Sequence, residues 1–411
     1  MPIFISSIPT IEEDDLQLSR RLLRSKDVPS TDVKLPGFES KRHFFTNTGR
    51  GSLYIILKAL HVEKREEVII QSFTCMALVT PMVWLGIKPV YTDIDPETFN
   101  MSLESLKKRV TDKTRVVIVQ HTFGIPSNVE EIKNHIDILN QDRDEDNRIY
   151  LIEDCAHSLN IKLDDKYLGT FGDVSFFSFG QDKVISCTQG GCIVCNDDEI
   201  EAKVKKIYRG VHVMRKRAIR YNLRYPLLWN LIKRLYDKPR FIYNSRFSLF
   251  TFGKFLVILF RSLGLIKQQA SINDFGDPKK DVCKLSYAQK HLLNNQLNKI
   301  DRFTDHRIMI TSEYSKGLGL SLEGSLLRYP VKVDNPELVR LELQKIGVIA
   351  GNWYNYPVIP KGIDLKKISY HLGTCINTEY LMEHIINLPT GVDVDEKSVK
   401  DIVKVVKGHL L

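Results

Sequence analysis

Residues Ser175 to Gly191 read SFFSFGQDKVISCTQGG and place one lysine, Lys183, in a run whose only other charge is the adjoining Asp182. The SFFSF stretch before the lysine predicts a buried strand, and the Gly-Gly turn followed by CIVC predicts a second strand. A lysine in such apolar surroundings is costly unless it has a partner or a chemical task. Lys183 is therefore the first candidate functional residue.

Short β-branched runs alternate with helical patterns from about residue 46 to residue 196. The predicted strands EEVIIQSF, KPVYTDID, TRVVIVQHTFG and RIYLIEDCAH are separated by helical segments such as MALVTPMVWLG and NVEEIKNHIDILNQ. Strands joined by helices predict a mostly parallel sheet, and ligands of such sheets collect at the carboxyl ends of the strands. We expect that edge to carry His121, Asp154, His157 and the Thr74–Cys75 turn.

Asp154 closes the predicted strand IYLIED, so its carboxylate is expected at the ligand edge. A cationic ring nitrogen would satisfy this buried acid, and a desolvated lysine amine can form a Schiff base with an aldehyde. A Schiff-base lysine together with an aspartate facing a pyridinium nitrogen meets the requirements for holding pyridoxal 5'-phosphate (PLP). Spacing alone leaves two readings open, this cofactor site and a plain ion pair between Lys183 and Asp154.

The segment NTGRGSLYIILKAL supplies a polar, glycine-containing turn that opens an apolar helix. Backbone N–H groups at a helix start bind phosphate, and glycines let the backbone approach an anion closely. Ser178, five residues before Lys183, offers an additional hydroxyl. Many helices begin with Ser or Thr and Gly, so this turn gains its meaning from the other two elements on the same chain.

The 411-residue length predicts a large domain plus a smaller one, and the seven scattered cysteines favour a reducing, cytoplasmic location. Cys192 and Cys195 form a CxxC inside a predicted strand, where their side chains point to opposite faces, so we predict no metal site. The N-terminus is apolar for only a few residues and then acidic, unlike a signal peptide.

Basic residues are concentrated between Lys203 and Lys267, where 17 Lys and Arg accompany a single acid, Asp237. In SRFSLFTFGKFLVILFRSLGLIK, Arg246, Lys254 and Arg261 are spaced to lie on one helical face, opposite apolar residues. Two interpretations stay open: peripheral membrane contact through residues 246–267, or a helical hairpin packed at the active-site mouth or a dimer interface. No nucleic-acid-reading motif accompanies the charge.

These motifs, in this order, resemble the DegT/DnrJ/StrS-type sugar aminotransferases of the PLP-dependent fold type I superfamily. The resemblance rests on FESKRHFFTNTGRGSLYIIL, QSFTCMALVTPMVWLG, LIEDCAHSLN, GTFGDVSFFSFGQDKVISCTQGG and LSYAQKHLLNNQL, and it runs nearly end to end. It implies that Lys183 forms the internal aldimine and moves the substrate proton, and that Asp154 pairs with the pyridinium nitrogen. It also implies that His157 lies near the cofactor ring and that Gly49, Arg50 and Ser178 hold the phosphate.

The chain departs from the family pattern at several positions. Cys75 stands where the family usually stacks an aromatic residue on the cofactor, with Phe73 two residues earlier. Arg50 replaces a small hydroxyl residue, and Gln189 replaces the usual acid of the Gly-Gly turn. FGDPKKDVCK replaces a segment that in the family reaches the neighbouring subunit's site. Related 3-dehydratases carry histidine at the lysine position, so Lys183 argues against that branch.

The resemblance implies an α/β fold with a mostly parallel central sheet between helices, followed by a smaller C-terminal α+β domain. We expect an N-terminal arm (1–45), a PLP-binding domain (46–208), a basic insert (209–273), and a long helix with the small domain (274–411). The implied activity transfers an amino group from glutamate to a nucleotide-linked keto-deoxysugar in a cytoplasmic homodimer, peripheral to the inner membrane face if the insert binds lipid. The alternatives are a nucleotide-sugar dehydratase on the same cofactor and a non-catalytic membrane-associated scaffold.

Overall fold

A computed structural model describes residues 2–6, 10–236, 251–266 and 275–411 of the chain. The helices, in chain order, are α1 Glu13–Arg24, α2 Gly49–Ala59, α3 Met76–Leu85, α4 Leu103–Arg109, α5 Val129–Gln141, α6 Asp198–Arg209, α7 Lys216–Leu235, α8 Phe252–Ser262, α9 Pro278–Asp281, α10 Tyr287–Leu297, α11 Ile300–Leu318, α12 Pro336–Lys345, α13 Ile376–His384 and α14 Glu396–Val406. The strands are β1 Ile3–Phe4, β2 His43–Thr46, β3 Glu67–Gln71, β4 Thr74–Cys75, β5 Lys88–Thr92, β6 Thr114–Gln120, β7 Tyr150–Asp154, β8 Lys162–Leu163, β9 Lys166–Tyr167, β10 Val174–Ser178, β11 Gly191–Cys195, β12 Arg328–Lys332, β13 Val348–Ile349, β14 Val358–Ile359 and β15 Ile385–Pro389.

A seven-stranded sheet in the order β2-β11-β10-β7-β6-β3-β5 forms the centre of the fold. Strands β10, β7, β6, β3 and β5 pair in parallel, whereas β11 is antiparallel to both of its neighbours. From β3 to β7 the parallel strands are joined through helices, whereas β7 and β10 are joined by a segment that carries the β8–β9 hairpin. The predicted α/β class with a mostly parallel sheet is confirmed.

Helices cover both faces of this sheet, and its strands are apolar on both sides. On one face, Ile70, Ile118 and Ile193 pack with α2 and α3 in the largest cluster of buried side chains. On the other face, Val117 and Leu151 pack against α5, and Phe177 packs in the cluster that contains α10. Cys192 and Cys195 lie in clusters on opposite faces, as their spacing on a strand predicts.

The C-terminal part contains its own apolar cluster, built on the antiparallel pair β12–β15 with α11, α12 and α14. The single long helix expected within residues 274–411 is instead two helices, because α10 ends at Leu297 and α11 begins at Ile300. Asn298, a weak helix former, ends the first helix, and the Lys299 backbone leaves helical geometry with φ −112°. At this break the side chain of Lys299 contacts α1, and its Nζ lies 2.7 Å from an Asp15 oxygen.

The basic insert contributes α7 and α8, while residues 237–250 and 267–274 lie outside the described ranges. Arg246, one of the three cations predicted to lie on one helical face, is therefore outside the described ranges. Helices α7 and α8 share an apolar cluster with Phe4, whose ring meets Trp229 edge-on at 6.4 Å between centroids. None of the described helices is both long enough and apolar enough to cross a bilayer.

Candidate active site

Asp154 ends β7 at the carboxyl edge of the sheet, between Gln120 of β6 and Phe176 of β10 in register. The residue is 7% exposed, and its Oδ1 accepts a hydrogen bond from the Ala156 N–H at 3.0 Å. Within the described ranges, its other oxygen accepts no hydrogen bond. Burial raises the pKa of Asp154 to about 6, although the Ala156 N–H and the charges of Lys183 and His121 oppose the rise. Desolvation of this acid therefore outweighs the stabilisation of its charge by the groups around it.

Lys183 lies among the other predicted site residues. Its positive charge acts on the pKa of Cys75, Asp154 and His157, three groups contributed by different segments of the chain. The lysine is half-buried in the loop after β10, where its side chain also approaches Gly180. The structure therefore brings the predicted lysine and aspartate into one electrostatic group at the sheet edge.

His157 is a buried, neutral imidazole. Burial first, and then the charges of Lys183 and Arg328, hold its pKa well below the usual value. Its Nδ1 accepts a hydrogen bond from the Phe123 N–H at 3.2 Å, which places the ring proton on Nε2. The ring lies nearly parallel to that of Phe123, with 6.2 Å between centroids. His157 can thus offer an N–H donor at this end of the sheet.

The start of α2 forms a cradle with the end of β10 and the start of β11. The Thr48 hydroxyl accepts the Gly51 N–H at 3.0 Å, while the backbone N–H groups of Gly49 and Arg50 have no acceptor in the described part of the chain. A Cβ added to Gly49 would lie 3.2 Å from Cβ of Ser178. A Cβ added to Gly191 would lie 2.5 Å from the Thr48 carbonyl, so only glycine permits this approach.

Cys75 begins α3, and its backbone is held by pairing of β4 with β14 of the C-terminal part. Burial, with a smaller contribution from Asp154, raises the pKa of its thiol against the opposing charge of Lys183. Arg50 faces the same region: burial lowers the pKa of its guanidinium, and Cys75 and Asp281 oppose that shift. Phe73, the other candidate for ring stacking, is fully buried in an aromatic cluster with Tyr354 at 5.2 Å.

Three residues of the site were not identified from the sequence as functional. The carboxylate of Asp182 forms a short ion pair with Arg328, which is 1% exposed at the start of β12. The guanidinium of Arg328 lies 3.6 Å from the centroid of the Trp353 ring. Burial would raise the pKa of Asp182, but Lys183 and Arg328 together outweigh it and lower the pKa. Asp182 was recognisable by its position beside the lysine, whereas Arg328 and Trp353 carry no local signal.

Glu153, beside Asp154 on β7, points to the opposite face and holds the loop that precedes β10. Its carboxylate accepts the N–H groups of Gly169, Phe171 and Gly172 at 2.7–2.8 Å and contacts Nε2 of His121 at 3.2 Å. His121 Nδ1 also accepts the Ser127 N–H, so both ring nitrogens have partners. Although Glu153, His121 and Cys155 are close enough to hold a metal, the ligand atoms of Glu153 and His121 are already used in hydrogen bonds. His121, expected at the ligand edge, serves the scaffold.

A family model and several curated proteins match parts of the chain. Residues 37–225 match the model of the DegT/DnrJ/EryC1/StrS aminotransferase family. The chain is 31% identical over 206 residues to GDP-perosamine synthase of Vibrio cholerae and 35% identical over 151 residues to that of Escherichia coli O157:H7. The matched regions cover 49% and 37% of this chain and 54% and 39% of those proteins. The chain therefore spans about half the length, or less, of these curated relatives.

The fold extends the likeness over nearly the whole chain. Spr1654 of Streptococcus pneumoniae, in its PLP form, superposes with a TM-score of 0.70 at 18% identity, covering 98% of this chain and 97% of its own. At that identity the superposition establishes the fold alone. Through residues 37–225, the chain resembles the DegT/DnrJ/EryC1/StrS aminotransferase family, whose model it matches there.

Proposed function

We propose that the chain is a PLP-dependent aminotransferase that moves an amino group from glutamate to a nucleotide-linked keto-deoxysugar. The observation that carries the proposal is Asp154, a buried carboxylate with one unbonded oxygen, in the same electrostatic group as Lys183. The described ranges contain no salt bridge between Lys183 and Asp154, which favours the cofactor site over the plain ion pair that spacing left open.

The residues present fit PLP by the chemistry of their donors. Asp154 offers a desolvated anion to a protonated ring nitrogen, and Lys183 offers a primary amine to an aldehyde. The N–H groups of Gly49 and Arg50, with the Ser178 hydroxyl at the same helix start, offer donors to a phosphate. His157 offers its Nε2–H, and Cys75 lies beside the lysine in place of an aromatic ring.

Bound PLP supplies an aldehyde that accepts amines and a ring that withdraws electrons from the carbon that loses a proton. Asp154 would keep the ring nitrogen of bound PLP protonated. This pairing is favourable because a buried carboxylate is stabilised by a positive charge beside it. Lys183 would take a proton from the substrate carbon onto its amine Nζ and deliver it to the imine carbon of the cofactor. Because His157 is neutral, its Nε2–H donates a hydrogen bond without adding a second positive charge beside Lys183.

The nature of the substrates follows from the family and the names of the relatives. Both perosamine synthases are named for a GDP-linked amino sugar, which supports a nucleotide-linked keto sugar as the acceptor. Glutamate, the implied donor, carries two carboxylates, and Arg50 provides a cation next to Cys75 in the site. The family resemblance also supports a homodimer, with sites formed where subunits meet.

The proposal is tested by visible absorption of the purified chain with added PLP, followed by glutamate. We expect a visible band that glutamate depletes while 2-oxoglutarate accumulates, and we expect Lys183→Ala to lack both the band and the reaction. Lys290→Ala removes another half-buried lysine and should leave both unchanged.

The other outcomes separate the alternatives. A dehydratase would be established instead by two results together. Glutamate would leave the band unchanged, and an added nucleotide sugar would be converted to a keto-deoxysugar without amination. If no band forms with intact protein, the non-catalytic scaffold becomes the better account.

A further inference from the structure

The hairpin of α7 and α8 uses only part of its apolar surface for packing. On α8, Leu256 is buried, and Phe252, Val257 and Phe260 are half-buried in the cluster around Trp229. Gly253 permits close contact with α7, since a Cβ there would lie 2.0 Å from the Tyr236 ring. One side of α8 is therefore fixed to the body of the protein.

The other side of α8 presents large apolar side chains to water. Phe255 and Ile258 are 45% and 56% exposed and lie three residues apart on one helical face, and Leu263, the residue that follows α8, is 61% exposed. Their exposure is unusual in combination, because exposed apolar residues of a water-soluble surface are normally scattered singly. This face, Phe255–Ile258–Leu263, is called the α8 face below.

Helix α7 carries exposed cations at helical spacing. Arg217, Arg220 and Arg224 occur at i, i+3 and i+7, and none of them forms a salt bridge with any residue in the described ranges. Their charge is not balanced by neighbours in sequence either, since Asp237 is the only acid between Lys203 and Lys267. Outside that segment, the chain has 42 Lys and Arg and 49 Asp and Glu, so the insert alone is basic.

We propose that the α7–α8 hairpin binds the surface of an anionic lipid bilayer. The α8 face enters the boundary between headgroups and acyl chains, and the α7 arginines contact lipid phosphates. At 11 residues, α8 is about 16 Å long, which suits a helix lying in the interface. The proposal goes beyond the amino-transfer reaction and does not depend on it.

Charge and shape favour lipid over the other occupants of this face. A second copy of the chain that placed its own insert against this one would bring two basic surfaces together and oppose like charges. A nucleic acid would satisfy the arginines but would leave the α8 face in contact with a charged, hydrated backbone. An anionic bilayer is the surface that meets both features at once.

Vesicle co-sedimentation of the full chain tests the proposal. We expect binding to vesicles containing phosphatidylglycerol, little binding to pure phosphatidylcholine vesicles, and release as salt rises from about 0.05 M to about 0.5 M. Phe255→Gln with Ile258→Gln should weaken binding about tenfold or more, because two apolar side chains no longer enter the interface. The matched control, Ile138→Gln with Leu372→Gln, removes two equally exposed apolar residues elsewhere and should bind normally.

A second set of variants examines the charge. Arg217, Arg220 and Arg224 changed together to Gln should weaken binding to anionic vesicles, and the same three changed to Lys should retain most of it. Because all the substituted side chains are exposed, circular dichroism should report the native helix content in each variant.

Three results would overturn the proposal. These are absence of binding to anionic vesicles, equal binding to neutral vesicles, and unchanged binding by the Phe255/Ile258 variant. If that variant instead lowers the molecular mass of the protein in vesicle-free solution, the α8 face is a contact between copies of the chain and the lipid assignment is wrong.

Discussion

Adjacent acids on β7 have different surroundings and different tasks. Glu153 receives three backbone N–H groups and a histidine, so its charge is stabilised by the protein itself. Asp154 receives a single N–H, and burial raises its pKa. Alternation along the strand separates the two carboxylates onto opposite faces. The strand thus supports its own loop with one acid and leaves the next one for a ligand.

Replacing Asp154 should stabilise the cofactor-free chain while abolishing activity. The folded chain holds the Asp154 proton up to a pKa of about 6, whereas the ordinary pKa of an aspartate is 3.8. The stability associated with this proton is present at low pH and lost as pH rises from about 4 to about 6. Asp154→Asn does not titrate, so its stability relative to the native chain should increase across that window by at most about 3 kcal/mol.

Denaturant unfolding of both proteins at pH values between about 4 and 7 measures the difference. The variant should also lose about a hundredfold or more in kcat/KM, because the ring nitrogen would lack its anion. A stability difference that stays flat with pH would mean that Asp154 is not desolvated as described.

The ion pair of Asp182 and Arg328 should be coupled in stability. Arg328 is almost fully buried, and its Nε has no hydrogen-bond partner in the described structure, so loss of the Asp182 carboxylate leaves a poorly satisfied cation. Asp182 is one-third exposed, which moderates the cost. We expect Asp182→Asn to destabilise the chain by about 1–3 kcal/mol. In a double-mutant cycle with Arg328→Met, the second change should recover part of that loss, and additive effects would contradict the pair.

At the scale of elements, the sequence predicts best where local pattern and tertiary environment agree. The apolar strands β3, β6, β7 and β10 and the amphipathic helix α5 follow from period and propensity, and Gly49 follows from turn chemistry. The break between α10 and α11 does not, because Asn298 is only a weak signal and the partner of Lys299, Asp15 on α1, is distant in sequence. Arg328 and Trp353 were missed for the same reason, since only the folded chain brings β12 to the loop of Lys183.

The close approach of β11 to the start of α2 can be tested at Gly191. A Cβ at this position would lie 2.5–2.6 Å from Thr48 backbone atoms and the Gly49 nitrogen, so the cradle must open to accommodate it. Gly191→Ala should weaken PLP binding at least about tenfold and lower the stability by about 1–3 kcal/mol. Gly408→Ala, with nothing within 4 Å of the added Cβ, is the control. Absorbance titration and thermal unfolding measure the two effects, and unchanged PLP affinity would argue against a cradle here.

The junction of α10 and α11 should depend on Lys299. This lysine contacts Asp14 at 2.9 Å and the fully buried Asp15 at 2.7 Å. Lys299→Met would leave Asp15 with the amide donors of Asn295 and Gln296 but without a cation. We expect a loss of about 2–4 kcal/mol in denaturant unfolding. Lys316→Met removes a lysine from an exposed pair with Glu313 on the same helix and should cost no more than about 0.5 kcal/mol, so equal losses would contradict the assignment.

At the scale of the whole molecule, the order of the motifs along the sequence predicts the fold and the family resemblance. It does so because motifs such as that of Asp154 lie at the carboxyl ends of the strands, where ligands bind. The basic insert is different: its composition was evident, but the sequence could not decide between a bound hairpin and a membrane-facing one. The described structure contains elements of both, since α8 packs on α7 with one side and exposes the other. Composition does not specify which apolar residues face the protein.

The homodimer implied by the family is a property of the whole chain and is tested by its mass in solution. The chain mass is 47.4 kDa, and light scattering after gel filtration should give about twice that value. Dilution should leave the mass unchanged if the dimer is obligate. A monomer with full aminotransferase activity would show that the site does not require a second subunit.

Cys192 and Cys195 have a use that lies outside catalysis. They are three residues apart on β11, yet each is buried in a different hydrophobic layer. With the other cysteines replaced, a chain keeping only one of the two would carry a thiol-labelling probe for a single side of the sheet. Comparing the labelling rates of the two chains in mild denaturant would show whether both layers open together or whether one yields first.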